Sequence, residues 1–136
     1  MSVSVAFQDL VLSLLSNDSA VSAIVGDRII DGPDADTAFP YVSFGATDTD
    51  RLDAECIPGR DETMQIDCWS RDDGRLNPCK ALVNAVEAAL HEKDGTFSVG
   101  ALLSLNVVLS RCFIDPDGIT AHGVVQVTAE IEDPRN

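Results

Sequence analysis

The sequence predicts an α+β fold: a single domain with a mainly antiparallel β-sheet, whose long C-terminal β-hairpin packs against an N-terminal helix and one main central helix. Three observations carry this expectation. Apolar residues recur at helical spacing near the N-terminus and again from Cys79 to Leu90. Elsewhere they alternate with polar residues, the period of a half-buried strand. Between two such alternating runs lies Asp115-Pro116-Asp117-Gly118, a turn sequence. The length of 136 residues suits one domain able to bury a core without staples.

From Ser4 to Ser16, Phe7, Leu10, Val11, Leu14 and Leu15 mark one buried helical stripe. Asn17-Asp18-Ser19 supplies breaker and cap residues for a short helix through Val21, Ile24 and Val25, stopped at Gly26. Arg28 to Asp31 reads as a first strand, Gly32 to Phe39 as a loop, and Pro40 to Phe44 as the start of a second strand. The polar, acidic stretch from Thr47 to Asp61 reads as a solvated loop or hairpin tip. Met64, Ile66 and Cys68 alternate with polar neighbours in a third strand that ends near Trp69. Asn77 is the expected cap of the main helix, with Pro78 at its first position and Cys79, Leu82, Val83, Val86 and Leu90 on one face. Asp94-Gly95 is its expected end.

In the last third, Leu103, Leu105, Val107 and Leu109 alternate on one strand and Val125, Val127, Ala129 and Ile131 on the other. A three-residue loop at Pro116-Asp117-Gly118 sets Leu109 opposite Val125, Val107 opposite Val127, Leu103 opposite Ile131 and Cys112 opposite His122. In that register the turn chemistry and both apolar stripes agree.

Charge narrows the function. Asp and Glu number 23 against 9 Lys and Arg, a formal net charge of −14. Such a surface repels phosphate backbones and anionic lipid, which argues against nucleic-acid grip and membrane-surface binding. The apolar N-terminus lacks a basic region before Arg28, and the longest uncharged run, Gly95 to Ser110, is too short and polar to span a bilayer. Cys56, Cys68, Cys79 and Cys112 show no C-x-x-C spacing and are expected as reduced thiols.

Nothing in the chain reads as an enzyme. His91 and His122 lack the partner spacing of a metal site, and His91 suits the end of a helix. A Cys112–His122 pair would lack the third group that orients a nucleophile's base. The Asp34-Ala35-Asp36 and Asp48-Thr49-Asp50 segments do not continue into a calcium loop. No phosphate-binding or nucleophile-elbow motif is present. The expectation is therefore no catalytic residue, no cofactor and no metal.

The ordered string of motifs is more specific than any one of them. Gly26-Asp27-Arg28-Ile29 follows the first helices, then come Pro40-Tyr41-Val42-Ser43-Phe44-Gly45, Trp69-Ser70-Arg71, the helix over Lys80 to Leu90, and Asp115-Pro116-Asp117-Gly118 with His122-Gly123-Val124. From Phe7 to Glu130 the chain resembles the tail-completion, or tail-terminator, proteins of long-tailed bacteriophages and gene transfer agents. The resemblance implies a structural virion protein at the head–tail neck, assembled in the host cytoplasm. It implies a homo-oligomeric ring, commonly a hexamer, that caps the finished tail tube and joins it to a head-side connector or stopper. DNA would pass through the channel only as cargo, with no membrane involved. Candidate contacts with neighbouring subunits or the tail-tube protein are Asp48, Asp50, Arg51, Asp53, Glu55, Arg60, Trp69, Arg71, Asp115, Asp117 and Gly118. For Trp69 and Arg71 the plainer role is to finish a strand and brace the following helix. The competing readings are another head–tail joining protein and a non-viral small binding module.

Overall fold

A computed structural model describes residues 2–53, 58–97 and 99–132. In order the elements are α1 (Val3–Ser16), α2 (Ser19–Val25), β1 (Ile29–Ile30), β2 (Tyr41–Asp53), β3 (Pro58–Arg71), α3 (Asn77–Leu90), β4 (Ala101–Ile114) and β5 (Thr120–Glu132). The strands form one sheet in the order β1-β2-β3-β5-β4, antiparallel except for the short β1, which runs parallel to β2. The α+β class is as expected.

The first two helices begin where a side chain can satisfy a free backbone donor. Ser2 Oγ accepts from the Val5 amide at 3.1 Å, and Asp18 Oδ2 accepts from the Val21 amide at 3.0 Å. The main helix starts differently. Asn77 is its first helical residue and not its cap, and Leu76 at the cap position makes no side-chain bond. Pro78 lies in the first turn, where its missing N–H leaves no helical bond unmade. The helix also stops at Leu90, short of Asp94-Gly95, because the chain turns there to meet β4. Glu92 N donates to Leu105 O at 2.8 Å, and the His91 ring nitrogen Nδ1 accepts from the Val107 amide at 3.0 Å.

The helices lie on one face of the sheet. Phe7, Val11 and Leu15 of α1, Val21 and Val25 of α2, and Leu82, Val86 and Leu90 of α3 enclose the core with Val42, Met64, Ile66, Val125 and Val127. Helix α3 rests on β3, β5 and β4, while α1 packs on α3, α2 and β1. Helix α1 also reaches β3 through a buried carboxylate. Glu62, 0% exposed, accepts from Ser4 Oγ at 2.6 and 2.9 Å, from Thr49 Oγ1 at 3.0 Å and from Arg60 Nη1 at 3.3 Å.

Two sequence expectations change here. The acidic stretch from Thr47 is the distal part of the β2–β3 hairpin and not an open loop: up to Asp53 and again from Pro58 it is strand, pairing Asp48 with Thr63, Asp50 with Asp61 and Arg51 with Arg60. Polar composition misleads because Asp48 and Asp50 fall on the face that no helix covers. The second change concerns the terminal hairpin. Val107 does oppose Val127 and Leu105 opposes Ala129, but bulges between Leu102 and Ser104 and between Val107 and Leu109 shift the pairing on either side. Leu109 therefore opposes Gln126, Leu102 replaces Leu103 opposite Ile131, and Cys112 faces Gly123 instead of His122. Each bulge reverses which alternate residues face the core, so Leu103, Val108 and Leu109 point outward.

Candidate contact surface

The face of the sheet away from the helices carries a row of rings at the end near the β4–β5 turn. Tyr41, Trp69, His122 and Phe113 are successive cross-strand neighbours on β2, β3, β5 and β4. Tyr41 stacks on Trp69 with centroids 6.1 Å apart, Trp69 on His122 at 3.8 Å and 15°, and Phe113 tilts against His122 at 4.9 Å. Cross-strand aromatic pairs of this kind stabilise the pairing of the strands that carry them.

Polar side chains lock the row. Trp69 Nε1 donates to Ser43 Oγ at 3.0 Å. His122 Nε2 lies 2.7 Å from Asp67 Oδ1, which also accepts from Gln65 Nε2 at 2.9 Å, and His122 Nδ1 lies 3.7 Å from Asp115 Oδ1. Although no helix covers them, Tyr41, Ser43, Asp67 and Val124 shield one another and are buried. Burial, more than the nearby charges, raises the Tyr41 phenol above its ordinary pKa.

Next to the row, Asp117 shapes the turn. Its Oδ1 accepts from the Ile119 and Thr120 amides at 3.0 and 2.8 Å, and its Oδ2 accepts from Thr120 Oγ1 at 2.5 Å. The Thr120 hydroxyl, then the Thr120 and Ile119 amides, hold the Asp117 carboxyl below its ordinary range. Gly118 takes φ 75°, the left-handed conformation the turn requires. Asp115 N bonds Thr120 O at 2.8 Å, so the loop holds four residues and not three, and Ile119 joins it. Arg71 ties the turn to the row: its Nε donates to Thr120 Oγ1 at 2.9 Å, its Nη2 lies 3.9 Å from Asp117 Oδ2, and its guanidinium sits 4.4 Å from the Phe39 ring centroid.

The structure thus divides the candidate contact residues into two groups. Trp69, Arg71, Asp115, Asp117 and Gly118 meet at one end of the sheet. Trp69 does not brace the following helix, because it lies on the opposite face from α3 and braces the sheet itself. Asp48, Asp50, Arg51 and Arg60 lie toward the far end of the β2–β3 hairpin, where Asp53 pairs with Pro58. Arg60 is drawn to the buried Glu62, with 3.3 Å between Nη1 and Oε1. Glu55 and Cys56 lie outside the described residues.

Sequence reasoning missed Tyr41, Asp67, Phe113 and the role of His122. The available signal was a ring residue in each of four alternating segments, which becomes a row only when the strand order is known. It also missed the outward side of β4. Leu103, Val108 and Leu109 are 55%, 57% and 43% exposed on an edge strand. His91 and Glu92 cover that edge at Leu105 and Val107.

None of these groupings assembles a nucleophile, base and orienting group. Cys112 is paired with Gly123, and the His122 ring is held between carboxylates and aromatic faces. Among the described residues no cluster of three or more His, Cys, Asp or Glu side chains could hold a metal. Nor is any described helix long and apolar enough to cross a membrane.

Residues 9–132 match the family model of the tail completion protein gp17. The tail completion protein gp17 of Bacillus phage SPP1 is 25% identical over 103 residues, covering 74% of this chain and 74% of that protein. A chain from the virion of a native gene transfer agent particle matches with a TM-score of 0.88 at 24% identity, covering 96% of this chain and 98% of its own. The structure of bacteriophage SPP1 gp17 matches with a TM-score of 0.60 at 22% identity, covering 93% and 88%. At these identities the two structural likenesses speak for the fold, which is shared over nearly the whole chain.

Proposed function

The chain belongs to the tail completion protein gp17 family, and from that premise we propose that it works as a structural ring of six copies on the finished tail tube of a phage or gene transfer agent virion. One side of the ring meets the tail-tube protein and the other a head-side connector or stopper. The observation that carries the reading is the family match across residues 9–132. In this role the protein performs no reaction of its own; its work is to present rigid surfaces at a fixed spacing.

The contact surfaces we assign are the two ends of the sheet. At one end Trp69, Arg71 and the Asp115–Gly118 turn are held stiff by the aromatic row and the Asp117 bonds. A surface held rigid before docking loses little conformational freedom on docking. The far end presents Asp48, Asp50 and Arg51. The outward apolar residues of β4 offer area that neighbouring copies would bury.

DNA passes through such a ring without being held. The formal charge of −14 on each copy gives phosphates few attractive sites, and charges near the lumen wall act over about 8 Å at physiological salt. The test is to remove the gene from its particle, restore it with a tagged copy, and image the neck by electron microscopy. Loss should leave tails unjoined to heads, and the tag should appear as a ring at the head–tail junction. A tag found elsewhere on the particle overturns the proposal. Tight DNA binding by the purified protein at low salt overturns the channel argument alone.

A further inference from the structure

Three of the four cysteines gather around one glycine. Cys112 on β4 and Cys68 on β3 are both cross-strand partners of Gly123 on β5, one on each side. A Cβ added at Gly123 would overlap Val83 Cγ2 and would lie 3.0 Å from Cys79 Sγ and 3.2 Å from Cys68 Cβ. Cys79, in the first turn of α3, therefore seats its sulfur in the space that the glycine leaves open. Its thiol is directed at Cys68 O, 3.9 Å away, and Cys112 flanks the same glycine from β4.

The three thiols differ in access. Cys68 and Cys79 are 0% exposed, whereas Cys112 is only half-buried. Cys112 lines a groove of about 270 Å³ between α3 and β4, together with Lys80, Asn84, Glu87 and Arg111. We propose that Cys79 and Cys112 form a dithiol that a small-molecule disulfide converts into an intramolecular disulfide, tying the first turn of α3 to the edge strand β4. This proposal is independent of the reading of function given above.

The exchange balances without any further reactant. The Cys112 sulfur, having lost its proton, attacks one sulfur of a disulfide such as oxidised glutathione. The reagent's S–S bond breaks, a mixed disulfide forms at Cys112, and one small thiol leaves. Cys79 then releases its proton and attacks the Cys112 sulfur, expelling the second small thiol. Two protein thiols are oxidised, one reagent disulfide is reduced to two thiols, and the two protons end on those thiols.

The environment sets the order of events. Burial, followed by the nearby Cys112, pushes the Cys79 thiol up to about 12, and burial pushes Cys68 well above its usual value. Buried thiols of that kind do not start an exchange, so the reagent enters at the groove. Once Cys112 is capped, its charge no longer raises Cys79, and the second step becomes easier.

The experiment uses the full chain with Cys56→Ser, so that the thiol outside the described residues takes no part. The folded protein is incubated with oxidised glutathione, quenched by alkylation and mapped by peptide mass spectrometry. One disulfide should join the peptides holding Cys79 and Cys112, with Cys68 alkylated only after denaturation and the thermal midpoint raised above that of the reduced protein. In Cys79→Ser the reaction should stop at a mixed disulfide on Cys112, and in Cys112→Ser Cys79 should stay reduced. A bridge from Cys68 to either partner, a stable mixed disulfide with Cys79 intact, or no reaction at all would each overturn the proposal. Those outcomes would leave the three cysteines as small apolar core residues.

Discussion

Glu62 shows how one residue can hold two layers together. Its carboxylate is buried completely, yet it accepts from Ser4 on α1, Thr49 on β2 and Arg60 beside it on β3. Replacing it with Ala strands three donors at once, so Glu62→Ala should cost about 2–4 kcal/mol, more than a typical single hydrogen bond. Urea unfolding with an unchanged m-value would report this, and a loss under roughly 1 kcal/mol would mean that water replaces the carboxylate freely. Asp117 gives a prediction in pH. Its folded pKa lies below the unfolded value, so the stability it contributes is present above the ordinary carboxylate range and is lost as pH falls through the depressed value. The Ile119 and Thr120 amide resonances should titrate together below that ordinary range, and Asp117→Asn should abolish the transition. A titration at the unperturbed carboxylate value would contradict the bonded turn.

At the scale of elements, β4 is the strand whose shape the alternation rule alone misses. With its two bulges, the strand turns Leu102, Leu105, Val107 and Cys112 toward the core and leaves Leu103, Val108 and Leu109 outside. Val108 is the most exposed of these at 57%, so Val108→Asp should change folding stability by under about 0.5 kcal/mol. If copies meet along this edge, the same change should prevent incorporation into particles, because an unpaired charge would be buried at the contact. A stable variant that still completes tails would remove β4 from the interface. Strand β2 carries the complementary lesson, since its acidic residues pair as regularly as its apolar ones.

For the whole molecule, the balance lies between a formal charge of −14 and the apolar area that ring formation would cover. Repulsion between identical acidic copies opposes association in free solution, and screening weakens it as salt rises. Light scattering should therefore give the monomer mass of 14.5 kDa at low salt and a larger average mass at high salt. A stable ring in dilute low-salt solution would show that apolar contacts outweigh the charge without help from the tube.

Read alone, the sequence dictates the α+β class, both N-terminal helices, the core face of α3 and the place of the terminal turn. Each of these follows from local chemistry: helical periodicity, cap residues, and a glycine free to adopt positive φ. It could not determine the register beyond the middle of the β4–β5 hairpin, because a bulge is a choice of pairing made by the partner strand and by His91 and Glu92 at the edge. The same holds for the candidate surface. Tyr41, Trp69, His122 and Phe113 are dispersed along the chain and become one stacked row only through the strand order β2-β3-β5-β4. Cys68, Cys79 and Cys112 likewise come together around Gly123 only through the strand pairing and the docking of α3 on the sheet.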